Sequence, residues 1–143
     1  MWLIFYISFF EILFTYINLY VNICLTTEWG DTLKIKYTKS FDNTRKKLKK
    51  YHFEENKLFD IIDIIKNSDT FNDLLSNPIC NMYNLERLKY DLNEFYSFRL
   101  SRSGGFIRLI IYYNDQENAI YLVFISYNHY NDFNKERVIY YDE

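Results

Sequence analysis

Hydrophobic and polar residues follow three different patterns along the first half of this chain. Residues 1–27 are almost continuously apolar, whereas "LKIKYTKSF" (33–41) alternates apolar and polar positions as a half-buried strand does. Apolar residues then recur at helical spacing, first in "SFDNTRKKLKKYH" (40–52) and next in "FEENKLFDIIDIIKNSDTFNDLLSNP" (53–78), where the final proline stops the helix. The pattern predicts one strand followed by two antiparallel helices.

The second half of the chain is patterned as strands. "FYSFRLSR" (95–102) alternates apolar and polar residues, "FIRLIIYY" (106–113) is largely apolar, and "AIYLVFISYNHY" (119–130) follows a short polar turn. A polar connector precedes them. These three segments predict an antiparallel three-strand meander.

The Gly104-Gly105 pair predicts a two-residue hairpin turn between the first two strands of the meander. With that turn, Ser101 lies opposite Arg108 and Arg99 lies opposite Ile110. Residues that face each other across two strands share a side of the sheet. We therefore expect Arg99 and Arg108 to lie on the same polar face.

The order of elements predicts an α+β fold: one strand, two helices, then a three-strand antiparallel meander whose sheet packs on the helices. One face of the sheet is covered by the helices. The other face is left partly open, and it is where we expect a functional site.

Composition and charge narrow the classes of protein that fit. Aromatic residues make up 21% of the chain, with 3 Gly and 1 Pro, which excludes wholesale disorder. Residues 1–32 hold three acidic side chains and no Lys or Arg, leaving 33–143 with 17 basic and 16 acidic residues. Nucleic-acid binding would therefore need a local basic patch. Cys24 and Cys80 are not spaced as metal ligands, and unlinked thiols are expected in a cytoplasmic protein.

The apolar residues 1–32 form a separate segment in front of the domain at 33–143. They are long enough to cross a bilayer, which takes ~20 apolar residues, but Glu11 lies near their middle and a secretory signal's basic start is absent. A membrane anchor and an extra core helix are two interpretations.

A third interpretation of residues 1–32 comes from the genetic code. Trp29-Gly30-Asp31 requires purine-rich codons that resemble a bacterial ribosome-binding site, and Leu33 can be encoded by UUG, an alternative start codon. Our hypothesis is that residues 1–32 are a mis-assigned extension of the gene. A peptide from residues 1–27 in the mass spectrum of the native protein would contradict it.

Six polar residues in the second half of the chain are candidates for catalysis or RNA binding: Glu86, Lys89, Arg99, Arg108, His129 and Tyr130. Each alone has a simpler explanation. An arginine on an open sheet face is usually solvated, and an exposed Glu–Lys pair three residues apart stabilises a protein by only ~0.2–0.5 kcal/mol.

Their order along the chain gives them more weight. They lie in "LERLKYDLNEFYSFRL" (85–100), "IRLIIYY" (107–113) and "ISYNHY" (125–130). This run resembles the RelE superfamily of bacterial toxins, especially the YoeB/Txe branch of ribosome-dependent mRNA interferases. In that branch a Glu-x-Leu-Lys connector precedes an aromatic-Ser-x-Arg strand, an Arg-Leu-hydrophobic-Tyr strand and a closing His-Tyr. The resemblance covers residues 33–130 and implies a RelE-like fold.

The resemblance also implies roles for four of the six residues. Cleavage of RNA by its own 2′-OH needs a base, an acid and a cation at the phosphate. Glu86 matches the general base, and His129 matches the general acid. Arg108 matches the phosphate-binding cation, and Tyr130 matches the residue that positions the substrate.

Lys89 and Arg99 match contacts to the RNA or ribosome backbone. The implied protein is the cytoplasmic toxin of a type II toxin–antitoxin system, an endoribonuclease that cleaves mRNA in the ribosomal A site. The implied reaction uses neither a metal nor another cofactor, and the implied partner is a cognate antitoxin protein.

The chain departs from this pattern after Tyr130, because "NDFNKERVIYYDE" (131–143) continues where YoeB-type proteins end. A tail over the site would favour an alternative function: a catalytically inactive superfamily member that acts as an RNA-, ribosome- or antitoxin-binding module. A membrane-anchored small protein is a further alternative if residues 1–32 are real.

Overall fold

A five-stranded sheet organises the part of the chain that the computed structural model describes, residues 32–102 and 104–142. Its strands are β1 Lys34–Tyr37, β2 Glu86–Arg87, β3 Phe95–Arg99, β4 Arg108–Asn114 and β5 Ala119–Ser126. They lie in the order β1-β5-β4-β3-β2. β1 runs parallel to β5, and the other neighbours are antiparallel.

Four α-helices lie between β1 and β2: α1 Lys39–Arg45, α2 His52–Lys66, α3 Phe71–Ser76 and α4 Pro78–Met82. A 3-10 turn at Lys46–Lys50 connects α1 to α2, and others lie at Tyr90–Leu92 and Lys135–Arg137. The predicted α+β class is confirmed, with the antiparallel meander β3–β4–β5 in place. β2 was not predicted.

The second predicted helix is divided in the structure. α2 ends at Lys66, and Thr70 begins α3 with a capping box, in which its hydroxyl accepts from Asp73 N and the Asp73 carboxylate accepts from Thr70 N. This reciprocal pairing satisfies amides that would otherwise lack partners at a helix start. Asn77 then caps α4, with Pro78 at its first position.

The predicted hairpin register is wrong by two residues. Arg99 lies directly opposite Arg108, and residues 100–107 form the connection. The turn closes one residue earlier than predicted, because Gly105 N donates to Arg102 O at 2.9 Å and Gly104 between them has a φ of 85°. A shift of two residues preserves the face of each side chain. Arg99 and Arg108 share a face, as expected.

Each face of the sheet buries its own apolar cluster. The larger cluster joins the helices to one face through side chains such as Phe41, Leu58 and Phe98. On the other face, the C-terminal tail inserts Phe133, which is 8% exposed, against Phe95 and Phe124 at ring distances of 5.2 and 5.4 Å. The tail therefore covers part of the face that was expected to be open.

Phe133→Ala should lower the free energy of unfolding by about 3 kcal/mol, because truncating a buried Phe leaves a cavity. Urea unfolding followed by circular dichroism measures the change. Ile139→Ala, at an exposed position of the same tail, is the matched control and should cost less than about 1 kcal/mol. Equal effects of the two substitutions would show that the tail is not anchored through Phe133.

The interpretations of residues 1–32 concern, apart from Thr32, residues outside the described ranges, and they stay predictions. Among the residues that are described, no helix is both long and apolar enough to cross a membrane.

Candidate functional site

Strand pairing places the polar candidates in adjacent rows on one face of the sheet. Glu86 of β2 lies opposite Ser97 of β3. Two residues further along β3, Arg99 lies opposite Arg108 of β4. Arg108 in turn lies opposite Ser126 of β5. Side chains two residues apart on a strand share a face, so these rows are neighbours.

Arg108 is fixed by the end of the hairpin. Its side chain is almost fully buried, and the residue is only 4% exposed. Its Nη1 donates to the backbone oxygens of Gly105 at 3.1 Å and Ile107 at 3.2 Å. These two bonds hold the guanidinium without neutralising its charge.

Three cations lie near one another around this row. With its amide oxygen turned toward Arg99, the Asn84 side chain accepts from that guanidinium at 3.1 and 3.3 Å, but Arg99 Nε is buried without a partner. Burial lowers the pKa of the Lys57 ammonium on α2, and the charges of Arg99 and Arg108 lower it further, against an opposing effect of Glu54. Like charges placed opposite each other are destabilising. The arrangement therefore favours an anion.

The hydroxyl of Tyr130 contacts both residues of the row formed by Glu86 and Ser97. The hydroxyl donates to Glu86 Oε1 at 3.0 Å and lies 2.8 Å from Ser97 Oγ. A phenol has one proton, so Ser97 must be the donor in the second bond. Burial raises the pKa of Tyr130, and the Glu86 carboxylate raises it further, while hydrogen bonds from Ser97 and Arg108 oppose the shift. Tyr130 therefore stays protonated at neutral pH and orients the carboxylate.

A tight turn after β5 presents His129 and Tyr130. Both have left-handed backbone angles, with φ of 46° and 75°, a conformation that is unfavourable for side chains of this size. Asp132 fixes the turn, since its carboxylate accepts from Ser126 Oγ and, at 2.9 Å, from the amide of Tyr127. Ser126 Oγ accepts in turn from the Tyr130 amide at 2.9 Å.

The imidazole of His129 is exposed and lies against two aromatic rings. Its ring centroid is 4.6 Å from that of Tyr130 and 6.4 Å from that of Phe106, and its amide donates to Phe106 O at 3.2 Å. The hairpin and the turn after β5 therefore hold each other in place.

All six sequence-predicted residues line one groove of about 530 Å³. β2 and the connector after it form one wall, with Glu86 and Lys89. The ends of β3 and β4 and the turn after β5 form the other, with Arg99, Arg108, His129 and Tyr130. None of the described tail residues 131–142 lines it, so the tail packs on the sheet beside the groove and leaves the groove open.

Four residues that sequence reasoning did not select also shape the site. Ser97 shares the face of Arg99 by strand alternation, so the sequence did carry a signal for it. Lys57 comes from a distant helix, Asp132 acts through a turn, and Tyr90 lies within the polar connector. Nothing in the sequence pattern marks these three.

The described residues bring no three His, Cys, Asp or Glu side chains close enough to hold a metal ion. The metal-free reaction stays a prediction.

Comparison with known proteins gives a structural likeness and no family. No family model and no curated protein matches this chain. The solution structure of HP0892, a conserved hypothetical protein from Helicobacter pylori, is 25% identical, with a TM-score of 0.46 over 71% of this chain and 100% of that one. The residues of the groove are therefore the basis for assigning a function.

Proposed function

We propose that this protein is a ribosome-dependent mRNA endonuclease, the toxin of a type II toxin–antitoxin pair. The observation that carries the proposal is the groove in which a buried Arg108, its neighbour Arg99 and the Tyr130–Glu86 pair face one another. The sequence resemblance to the YoeB/Txe branch supports the same function. It implies a role for each of these four residues and also for Lys89 and His129 in the same groove.

The electrostatics of the groove suit a phosphodiester. In the described part of the chain neither Arg99 nor Arg108 forms an ion pair with a carboxylate. A guanidinium presents a planar set of donors that fits two oxygens of a phosphate. Because RNA carries one phosphate for every nucleotide, exposed Lys89 at the rim adds a second contact to the same strand.

The proposed reaction is an intramolecular transesterification. Glu86 accepts the proton of the 2′-OH as this oxygen attacks the adjacent phosphorus, and His129 protonates the departing 5′-oxygen. The products are a 2′,3′-cyclic phosphate and a 5′-OH, and Arg108 stabilises the charge that grows on the phosphoryl oxygens. Tyr130 engages only Oε1 of Glu86, and within the described residues no hydrogen bond occupies Oε2.

Inducible expression in bacteria tests the proposal. We expect growth arrest and cleavage of ribosome-bound mRNA with the parent protein, both absent with Glu86→Ala and Arg108→Ala. Indifference of growth to all three proteins would contradict a toxin. Stable ribosome association without cleavage would instead identify a binding module, the alternative that the open groove does not favour.

The proposed partner is a small antitoxin protein. A short reading frame that overlaps or abuts this gene is the first place to look for it. Co-expression of its product with the toxin should restore growth, and the two proteins should copurify. Failure of every neighbouring product to restore growth would contradict the antitoxin part of the proposal.

Asp132 should act as a positioning residue for Tyr130 and His129. Asp132→Ala removes both acceptors that fix the turn. We expect kcat for cleavage to fall about tenfold, because Tyr130 and His129 would then be misplaced relative to the substrate. Asp132→Asn keeps one acceptor and should recover part of the rate. Single-turnover kinetics on programmed ribosomes separate kcat from KM, and a change in KM alone would contradict a positioning role.

A further inference from the structure

Tyr90 is an exposed aromatic residue in the wall of the groove. The residue is 88% exposed, more than any other large hydrophobic residue among those described. The residue lines the groove together with Glu86, Lys89 and Arg108. Within the described residues, its side chain makes no hydrogen bond and no ring contact. No hydrogen bond or ring contact of this side chain therefore stabilises the described part of the fold.

The backbone of Tyr90 is also held in an unfavourable conformation. Its φ of 58° lies in the left-handed region, which bulky side chains rarely adopt. Hydrogen bonds on both sides impose this angle, since Leu92 N donates to Lys89 O and Asn93 N donates to Tyr90 O, each at 3.2 Å. Strain of this kind persists where the surrounding structure fixes it and clusters at functional sites.

The connector that carries Tyr90 is anchored firmly enough to present the ring at a fixed place. Leu88 is buried in the second apolar cluster, and its amide donates to Phe95 O at 2.9 Å. Lys135 Nζ donates to Asp91 O at 2.6 Å, and Arg87 Nε donates to Asn93 O at 2.6 Å. The exposed ring therefore projects from a rigid support beside the cations of the groove.

We propose that Tyr90 is a stacking platform for a nucleobase of the RNA in the groove. This inference rests on the proposed function and adds a substrate contact to it. Single-stranded RNA is held by cations on its phosphates and aromatic rings on its bases. Arg99 and Arg108 supply the cations, and Tyr90 supplies a ring from the opposite wall. A stacked base next to the cleaved phosphate would be splayed from its neighbour, which exposes the 2′-OH.

Two substitutions separate stacking from a structural role. Tyr90→Phe keeps the ring and should cleave mRNA at the parent rate. Tyr90→Gly removes the ring and suits a positive φ, so it should leave the melting temperature unchanged or raise it. Cleavage by Tyr90→Gly should be slower by about 10- to 100-fold, the range expected from the loss of one base–aromatic stack. Phe59→Ala, at an exposed aromatic residue of α2 outside the groove, is the matched control and should have no effect.

A spectroscopic probe reports the stack directly. Ribosomes are programmed with mRNAs that carry 2-aminopurine at each position of the A-site codon in turn, with 2′-O-methyl groups that block cleavage. We expect the parent protein and Tyr90→Phe to quench the fluorescence at one position. Tyr90→Gly should not.

The outcomes distinguish this inference from the function on which it rests. Equal quenching with Tyr90→Gly and the parent overturns the stacking role and leaves the proposed endonuclease intact. The same holds if the parent cleaves unmodified mRNA but quenches at no position, or if Tyr90→Gly cleaves as fast as the parent. A parent that neither cleaves nor quenches overturns the proposed function, and the stacking role with it.

Discussion

Arg108→Ala should slow mRNA cleavage by about 10²- to 10³-fold, the loss expected when a preorganised electrostatic contact to the transition state is removed. The reason is that Arg108 is nearly buried and held by Gly105 O and Ile107 O, so its charge is aimed into the groove before substrate arrives. Cleavage rates on programmed ribosomes under single-turnover conditions measure the effect.

Two further variants control this experiment. Arg108→Lys retains the charge but loses the planar fork, so its rate should lie between those of the parent and Arg108→Ala. Arg137→Ala removes an exposed arginine that does not line the groove and should leave the rate unchanged. Thermal unfolding of each variant shows whether the fold is intact. A folded Arg108→Ala protein that cleaves at the parent rate would contradict the role of Arg108.

Glu86→Gln should slow cleavage by about 10²- to 10⁴-fold, which is the usual contribution of a general base. The amide has the shape of the carboxylate and still accepts from the Tyr130 hydroxyl, so the groove should keep its geometry. What is lost is the ability to take a proton from the 2′-OH. The rate of the chemical step should fall, with little change in ribosome affinity.

The matched control for Glu86→Gln is Glu94→Gln, at an exposed glutamate that does not line this groove. We expect it to cleave as the parent does. If Glu86→Gln cleaved normally, another group would have to be the base, and the assignment of Glu86 would be wrong.

Local patterns in the sequence were sufficient for most of the fold. The alternation of apolar and polar residues in 95–102 placed Arg99 on the polar face of a strand. The predicted pairing placed Arg108 on the same face, which is correct even though the predicted register was wrong by two residues. The predicted register was wrong because the turn closes between Arg102 and Gly105, one residue earlier than a turn centred on Gly104-Gly105. The exact position of a turn beside a glycine pair leaves no periodic signal in the sequence.

The candidate residues were selected through their order along the chain, and their grouping in one groove could not be derived from the hydrophobic pattern alone. Glu86 reaches Tyr130 because β2, only two residues long, pairs with β3, and a segment so short has no periodicity. The turn that presents Tyr130 depends on Asp132, whose effect comes from a tertiary contact. Tyr90 adopts a positive φ that its residue type disfavours, so propensity argued against its conformation.

The most direct test of the proposed chemistry is the structure of the cleaved ends. Programmed ribosomes are incubated with the protein, and the fragments are analysed by mass spectrometry, with mRNA that carries 2′-deoxynucleotides in the A-site codon as the comparison. We expect 2′,3′-cyclic phosphate and 5′-OH ends, and no cleavage of the 2′-deoxy substrate. Intact mRNA, or cleavage of the 2′-deoxy substrate with 3′-OH and 5′-phosphate ends, would contradict transesterification in the groove of Glu86, Arg108, His129 and Tyr130.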